Sequence, residues 1–142
     1  IDLSEDVMLF PSALDLDNTG SYFAYDYWAG TVVPFDSNTA LKFPKQSSSG
    51  KKDFKYFVVS NKKNTNSEWV LIGEIDKYAS MSSQRFESVG YSGSTLTAKV
   101  TGTPSEVLNF GAVKSGVLVK FSCTLGNDGK GGFSCKDSCT CS

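Results

Sequence analysis

Short segments in which apolar and polar residues alternate run along most of this chain, and they restrict the folds open to it. Residues 95–101 and 117–123 alternate most clearly. A period of two places successive side chains on opposite faces of a β-strand, so that one face packs inward and the other meets solvent. The residues predicted to face inward on these two strands are Leu96, Ala98, Val100, Val117, Val119 and Phe121.

Turn-forming residues separate further candidate strands, and no segment has the apolar period of a helix. The other predicted strands are residues 7–10, 22–28, 31–33, 41–43, 54–60, 69–72, 86–89 and 107–110. Regular short strands joined by polar turns are typical of sandwiches and barrels, and we predict an all-β, antiparallel two-sheet β-sandwich. Because 142 residues is the length of one domain, residues 1–142 are predicted to form a single β-sandwich domain.

All four cysteines lie in the last twenty residues: Cys123, Cys135, Cys139 and Cys141. An even number of clustered cysteines is typical of disulfides formed in an oxidising compartment, and the Cys-X-Cys spacing does not favour zinc. We therefore predict that all four are oxidised, that residues 121–142 form a cysteine-stapled C-terminal hairpin or tail, and that the protein is secreted and extracellular. On that basis Ile1 is expected to be a start left by processing.

One pairing of these cysteines is favoured by a repeated tripeptide. Phe-Ser-Cys occurs on both sides of the glycine-rich residues 126–131, and its two copies end at Cys123 and Cys135. Two strands joined by such a turn would bring these cysteines face to face, so Cys123–Cys135 is the predicted first bridge. Two other pairings stay open: Cys123–Cys139 with Cys135–Cys141, and Cys123–Cys141 with Cys135–Cys139.

Several classes of function lack their usual residues in this chain. There is no histidine, which is the usual group for proton transfer near neutral pH and the commonest metal ligand. Glycoside hydrolysis needs two carboxylates at a set separation, and no sequence pattern pairs Asp26, Glu68, Glu74 or Asp76. The net charge of −1 lacks the basic excess of nucleic-acid binders, and no apolar run has the length of a membrane span. We predict a protein that is not an enzyme, with no cofactor, no nucleic-acid partner and no membrane span.

Two local patterns indicate candidate ligand sites. Asp15, Asp17 and Asp26 occupy positions one, three and twelve of a sequence similar to a calcium loop, although its flanks are typical of strands and a turn is the competing interpretation. Aromatic residues are dense at 21–28, and exposed rings can stack on sugars. The candidate stacking residues are Tyr22, Trp28 and Trp69, for which packing in the core is the competing interpretation.

Charge is distributed unevenly along the chain. Residues 1–41 carry seven acidic residues and no basic ones, whereas residues 42–63 carry seven lysines and one acidic residue. Complementary charges on separate surfaces can orient the association of copies into a homo-oligomer or filament. The competing interpretation is two solvated edges of one domain, since lysines also protect edge strands from unwanted pairing.

A resemblance to a known domain rests on the aromatic run Tyr22-Phe23-Ala24-Tyr25-Asp26-Tyr27-Trp28 and the preceding Leu9-Phe10-Pro11. This pattern resembles the C-terminal β-sandwich of glycoside hydrolases of the α-galactosidase and raffinose-synthase-like group. Residues 69–74, 83–86 and 96–102, together with Pro104, resemble its second half, so the likeness covers most of residues 7–110. Because the catalytic aspartates of that group lie in a preceding barrel, the resemblance implies no catalytic residue here. The cysteine-bearing tail departs from the pattern.

Three functional hypotheses follow. The first is a non-catalytic, secreted β-sandwich module with a structural or carbohydrate-associated role, whose partner is a glycosidase catalytic domain. The second is a self-associating structural subunit of an extracellular assembly or filament. The third is a sugar-binding module that uses its exposed aromatic rings.

Overall fold

The computed structural model describes residues 5–43, 56–62 and 67–142, and the chain divides into two compact units, residues 1–63 and 64–142. Both units are built from antiparallel strands, and each has a hydrophobic cluster of its own. The prediction of an all-β antiparallel fold is therefore confirmed. The prediction of a single domain over residues 1–142 stays a prediction.

The described part of the first unit contains two small sheets. Its strands are β1 Val7–Leu9, β2 Tyr22–Asp26, β3 Thr31–Phe35, β4 Leu41–Phe43 and β5 Phe57–Asn61. Strand β1 pairs with β4, and β2 lies between β3 and β5. Tyr22 and Ala24 of β2 pack with Phe35 and Leu41 in a compact cluster. One short 3-10 helix, Pro11–Leu14, follows β1.

The second unit is a β-sandwich of two antiparallel sheets. Its strands are β6 Trp69–Glu74, β7 Phe86–Ser92, β8 Thr95–Thr101, β9 Val107–Lys114, β10 Val117–Thr124, β11 Lys130–Cys135 and β12 Cys139–Cys141. One sheet has the order β10-β9-β6 and the other the order β12-β11-β8-β7. Buried residues from both sheets form one core, including Trp69, Leu71, Leu96, Ala98, Val100, Leu108, Phe110 and Phe133. This shared core is what packs the two sheets face to face.

The residues predicted to face inward are mostly, but not all, in this core. Those of β8 are buried as predicted, and Val119 and Phe121 of β10 pack against the core while staying partly exposed. The prediction for Val117 is wrong, because its side chain is 65% exposed. Val117 is the first residue of an edge strand and pairs with the last residue of β9, next to the turn that joins them.

The four cysteines form two disulfides, Cys123–Cys141 and Cys135–Cys139, and none is free. All four are therefore oxidised, as predicted, but the favoured Cys123–Cys135 bridge is wrong. Strands β10 and β11 belong to different sheets, so the glycine-rich turn between them passes from one sheet to the other. The hairpin that the cysteines staple is instead β11–β12, in which Cys135 and Cys139 are directly paired residues. The Cys123–Cys141 bridge then ties the end of that hairpin to β10 in the facing sheet.

Candidate functional site

A cleft of about 560 Å³ opens on the second unit, where β6 ends, β7 begins and β8 passes into β9. Most of the residues that line it have polar side chains. They include Glu74, Tyr78, Gln84, Arg85, Thr103 and Glu106. The cleft therefore collects side chains from several parts of the chain around one partly buried arginine.

Arg85 lies at the centre of a hydrogen-bond network with two carboxylates. Its Nε–H donates to Oε2 of Glu74 at 3.2 Å, and its Nη1 donates to the backbone oxygen of Thr101 at 2.7 Å. The end of the guanidinium binds Glu106 through two bonds, from Nη1 to Oε2 at 3.0 Å and from Nη2 to Oε1 at 2.8 Å. Because two parallel bonds match the planar fork of an arginine, this contact sets orientation as well as charge.

The backbone around Glu74 explains why its side chain is buried. Strand β6 has a bulge between Leu71 and Gly73, and Gly73 has a φ of +107°, which favours glycine. A Cβ on Gly73 would collide with the carbonyl of Ser80, and the N–H of Glu74 donates to that same carbonyl at 2.8 Å. The segment that follows β6 is thereby held against the strand, beside Glu74.

A second glycine makes room for the arginine. A Cβ on Gly102 would collide with Nη1 of Arg85 and crowd Oε2 of Glu106. Residue 102 must lack a side chain, because the guanidinium of Arg85 occupies that space when it bonds both the Thr101 carbonyl and the Glu106 carboxylate. Gly102 therefore belongs to the construction of the cleft as much as the charged residues do.

Glu74 is the unusual member of this network. Its residue surface is only 3% exposed, and its Oε1 is a buried oxygen that accepts no hydrogen bond from the described residues. Buried polar atoms are nearly always hydrogen-bonded, because removing them from water without a partner costs free energy. The Oε1 atom is therefore a buried acceptor that neither a described donor nor the open cleft reaches.

The electrostatics of the network favour ionised groups. The hydrogen bonds from Arg85, helped by the Thr103 N–H at 3.0 Å, hold the pKa of the Glu106 carboxyl below its ordinary value. The same bonds to Glu106 raise the pKa of Arg85 further above neutrality. A carboxylate that is stabilised in its charged form is a poor proton donor, so Glu106 is suited to holding Arg85 in place and not to general acid catalysis.

The predicted sugar-stacking residues are found in three different environments. Tyr22 and Trp69 are buried in the two hydrophobic clusters, so neither ring has a face that a sugar could stack on, and the prediction fails for both. The indole Nε1–H of Trp69 donates to the Lys136 carbonyl at 3.0 Å. Trp28 is 51% exposed in the turn after β2, where it packs edge-on against Tyr27 with ring centroids 5.3 Å apart.

The predicted calcium ligands are not brought together. Among the described residues, no group of three or more acidic or cysteine side chains is arranged to hold a metal ion. Asp17 accepts the backbone N–H of Thr19, and Asp26 accepts those of Trp28 and Ala29. These carboxylates cap their own turns, which is the competing interpretation from the sequence.

Two central residues of the cleft, Arg85 and Glu106, were not among the predicted site residues. Arg85 is the only arginine in the chain, beside thirteen lysines, and that is the signal that would have drawn attention to it. Lysine can replace arginine as a charge but not as a planar two-bond partner of a carboxylate. Glu106 has no comparable signal, because its bond to Arg85 spans 21 residues.

Comparisons with known proteins found no matching protein-family model, no matching curated protein and no matching solved structure. The resemblance to a glycosidase accessory domain therefore stays a prediction. In the described part of the chain, no helix has the length and apolar character needed to cross a membrane. The two disulfides are of the kind that persists in an oxidising environment.

Proposed function

We propose that this protein is a secreted, non-catalytic β-sandwich module that binds carbohydrate in the cleft around Arg85. One observation carries the proposal: a cleft of about 560 Å³ is lined mostly by polar side chains, with Arg85 held between two carboxylates and the exposed ring of Tyr78 in its wall. Binding sites fix the orientation of a ligand with a few well-placed polar groups, and a carboxylate beside an arginine is such a group.

The wall of the cleft supports carbohydrate as the class of ligand. Tyr78 lines it and is 58% exposed, and aromatic rings pack well against the apolar face of a sugar. Gln84 and Thr103, on the same walls, offer amide and hydroxyl groups. The resemblance to an accessory domain of glycoside hydrolases points to the same class, with a glycosidase catalytic domain as partner.

The geometry favours binding over hydrolysis. Glycoside hydrolysis needs one carboxyl group that keeps its proton until the leaving group takes it. Both carboxylates of the cleft are bound to Arg85, and the pKa of Glu106 is lowered by those bonds. The chain also has no histidine to take over the transfer of a proton.

Co-sedimentation with insoluble polysaccharides, together with an assay on aryl glycosides, tests this proposal. We expect the protein to be retained on at least one of cellulose, chitin, xylan or β-1,3-glucan and to release no aryl group. Glu68→Gln is the matched control, because Glu68 is an exposed acidic residue of the same unit that does not line the cleft. Hydrolysis that disappears in Glu106→Gln would contradict the non-catalytic assignment, and lack of retention on every matrix would contradict carbohydrate binding.

Self-association is a second candidate, supported by exposed apolar residues in the first unit. Met8, Phe10 and Leu14 all lie at the surface, in and just after β1. One lysine of the basic segment and one aspartate of the acidic segment already pair with each other within this unit, because Nζ of Lys42 lies 2.8 Å from Oδ2 of Asp6. Lys45, Lys51, Lys52, Lys55 and Lys63 lie outside the described residues.

Light scattering at low and high salt tests this second candidate. Charge-driven contacts should loosen as the Debye length falls below about 10 Å, whereas apolar contacts should persist. A monomer at every salt and protein concentration would eliminate self-association and leave the carbohydrate proposal untouched.

A further inference from the structure

We infer that the open edge of β10 in the second unit is an interface for a second copy of this chain, which adds its own β10 antiparallel across a two-fold axis at Val119. No residue that lines the cleft belongs to β10, so this interface does not depend on carbohydrate binding. It gives self-association, the second candidate function, a specific strand and a closed form, the dimer.

The register of the β9–β10 hairpin determines which backbone groups of β10 point outward. Lys114 pairs with Val117 across a turn of two residues, both of positive φ. In such a turn the two flanking residues exchange hydrogen bonds, so alternate residues from Val117 onward bond to β9. The residues between them, Leu118 and Lys120, direct their N–H and carbonyl groups away from β9. No described residue bonds to those groups, since β10 is the last strand of its sheet.

The open part of this edge, Val117–Phe121, is mostly apolar. Beyond it the disulfide to β12 brings that strand beside β10, with Sγ of Cys141 3.2 Å from the carbonyl oxygen of Ser122. Val117 is 65% exposed, and the other apolar residues of this stretch are partly exposed. Lys120 is the one charged residue of the strand. An apolar edge with unpaired backbone groups is a template on which another strand can pair.

The other three edge strands of the second unit have features that prevent such pairing. β6 has a bulge between Leu71 and Gly73, and the N–H of Leu71 already donates to the hydroxyl of Tyr91 at 2.9 Å. β7 has a bulge between Phe86 and Ser88, and β12 has only three residues. Bulges and short length are common protections of an edge. β10 has eight residues in regular register with β9, so it is the edge in the described part of this unit that can accept a strand.

The sequence of β10 is complementary to a second copy of itself. In an antiparallel pair centred on Val119, Leu118 of each copy exchanges both of its backbone hydrogen bonds with Lys120 of the other. The exposed Val117 of each copy then lies opposite Phe121 of the other, as an apolar cross-strand pair. Lys120 determines this register, because a pair centred on Lys120 itself would place two like charges directly opposite each other.

The same features limit the assembly to a dimer. Pairing about a two-fold axis uses the β10 edge of both copies. The result is one sheet in the order β6-β9-β10-β10-β9-β6, and its two ends are the bulged β6 strands. The contact of a single short strand pair is smaller than the roughly 1,200 Å² of stable interfaces, so the dimer is weak and depends on concentration.

Sedimentation velocity of the full-length chain, with its disulfides intact, tests the interface from about 1 µM to about 1 mM protein. We expect a monomer–dimer equilibrium without larger species. Lys120→Pro removes an outward N–H that bonds no described residue, so it should weaken the dimer about tenfold or more and leave the hairpin intact. Lys120→Thr is the matched control, because it keeps that N–H in a residue that favours strands, and it should dimerise at least as well as the wild type.

Hydrogen exchange followed by NMR tests the register in the wild type, so it decides even where Lys120→Pro fails to fold. The amide hydrogens of Leu118 and Lys120 should exchange rapidly in dilute protein and about tenfold more slowly where the dimer is populated. The amide hydrogen of Val119 bonds to β9 and should be protected at both concentrations.

Each outcome supports or overturns the β10 interface. Slower exchange at both outward amides, together with loss of the dimer in Lys120→Pro, supports it. A monomer at every concentration, or species that keep growing beyond a dimer, overturns it. A dimer in which both amides stay unprotected also overturns it, and if Phe10→Ser abolishes that dimer, self-association stands with its contact in the first unit. Retention on polysaccharides should be the same for the wild type and Lys120→Pro, so the carbohydrate proposal is judged separately.

Discussion

The two compact units are stabilised in different ways. In the first, the described turns are held by aspartates that accept N–H groups two or three residues away, and among the described residues one small cluster packs Tyr22, Ala24, Phe35 and Leu41 together. In the second, Arg85 and the Cys123–Cys141 bridge join segments 11 to 21 residues apart around a larger core. Local bonds shape a turn, but only non-local links hold separate segments in register. Both units have non-local strand pairing, and in the second unit the links of Arg85 additionally hold the polar groups of the cleft in place.

Loss of the arginine should have the largest effect on the second unit. Arg85→Ala removes the partner of two carboxylates and leaves Glu74 as an uncompensated buried charge, so we expect about 3–5 kcal/mol less free energy of unfolding. Urea unfolding followed by circular dichroism measures it. Arg85→Lys is the matched control, since it keeps the charge without the two-bond fork, and it should lose less. A cost for Arg85→Ala no larger than the roughly 0.5 kcal/mol of a surface substitution would show that the network is not structural.

The two disulfides should contribute unequally. Cys123–Cys141 closes a loop of 18 residues in sequence separation, and Cys135–Cys139 one of 4. In the chain-entropy account, replacing the first pair by alanine should cost about 3 kcal/mol and replacing the second about 2 kcal/mol. Thermal unfolding of the two double variants compares them directly. A larger loss of stability on removal of Cys135–Cys139 would mean that the bridge within the β11–β12 hairpin stabilises the C-terminal residues more than the Cys123–Cys141 bridge between the sheets does.

A turn cap in the first unit should have a smaller effect. One Oδ of Asp36 accepts the N–H groups of Asn38 and Thr39, both at 2.8 Å, in the turn after β3. Asp36→Ala should lower the free energy of unfolding by about 1 kcal/mol. Asp36→Asn, which keeps an acceptor oxygen, should lose less than that. If both variants lose the same amount, the negative charge and not the turn geometry is what matters at this position.

The smallest effect should be a pH dependence from Glu106. Its pKa is lowered in the folded protein from an ordinary value of 4.5, so its stabilising contribution is fully present above that pH. The contribution is lost as the pH falls further, through the folded-state pKa, because the unfolded chain then binds the proton more readily. Free energies of unfolding measured from neutral to acidic pH should therefore fall more steeply for the wild type than for Glu106→Gln. Parallel curves would contradict this assignment.

Strand positions were readable from the sequence because they depend on local pattern. The predicted bounds of residues 41–43 and 95–101 match β4 and β8, and the other predicted strands overlap observed ones in the described residues. The limits of this approach are visible in β2, where Tyr22, Phe23, Ala24 and Tyr25 are all buried. Alternation predicts two faces but not how many of them are covered, and β2 is the central strand of its sheet.

The sequence by itself determined an all-β antiparallel chain, the positions of most strands and turns, and the oxidation of all four cysteines. These properties follow from the period of side chains along a strand, from turn chemistry and from cysteine count, which act within a few residues. Only the tertiary structure decided that Cys123 pairs with Cys141, that Trp69 is in the core, and that Glu74 and Glu106 share Arg85. Those outcomes depend on which strands share a sheet and which segments meet at its ends, and such pairings between distant residues leave no period in the sequence.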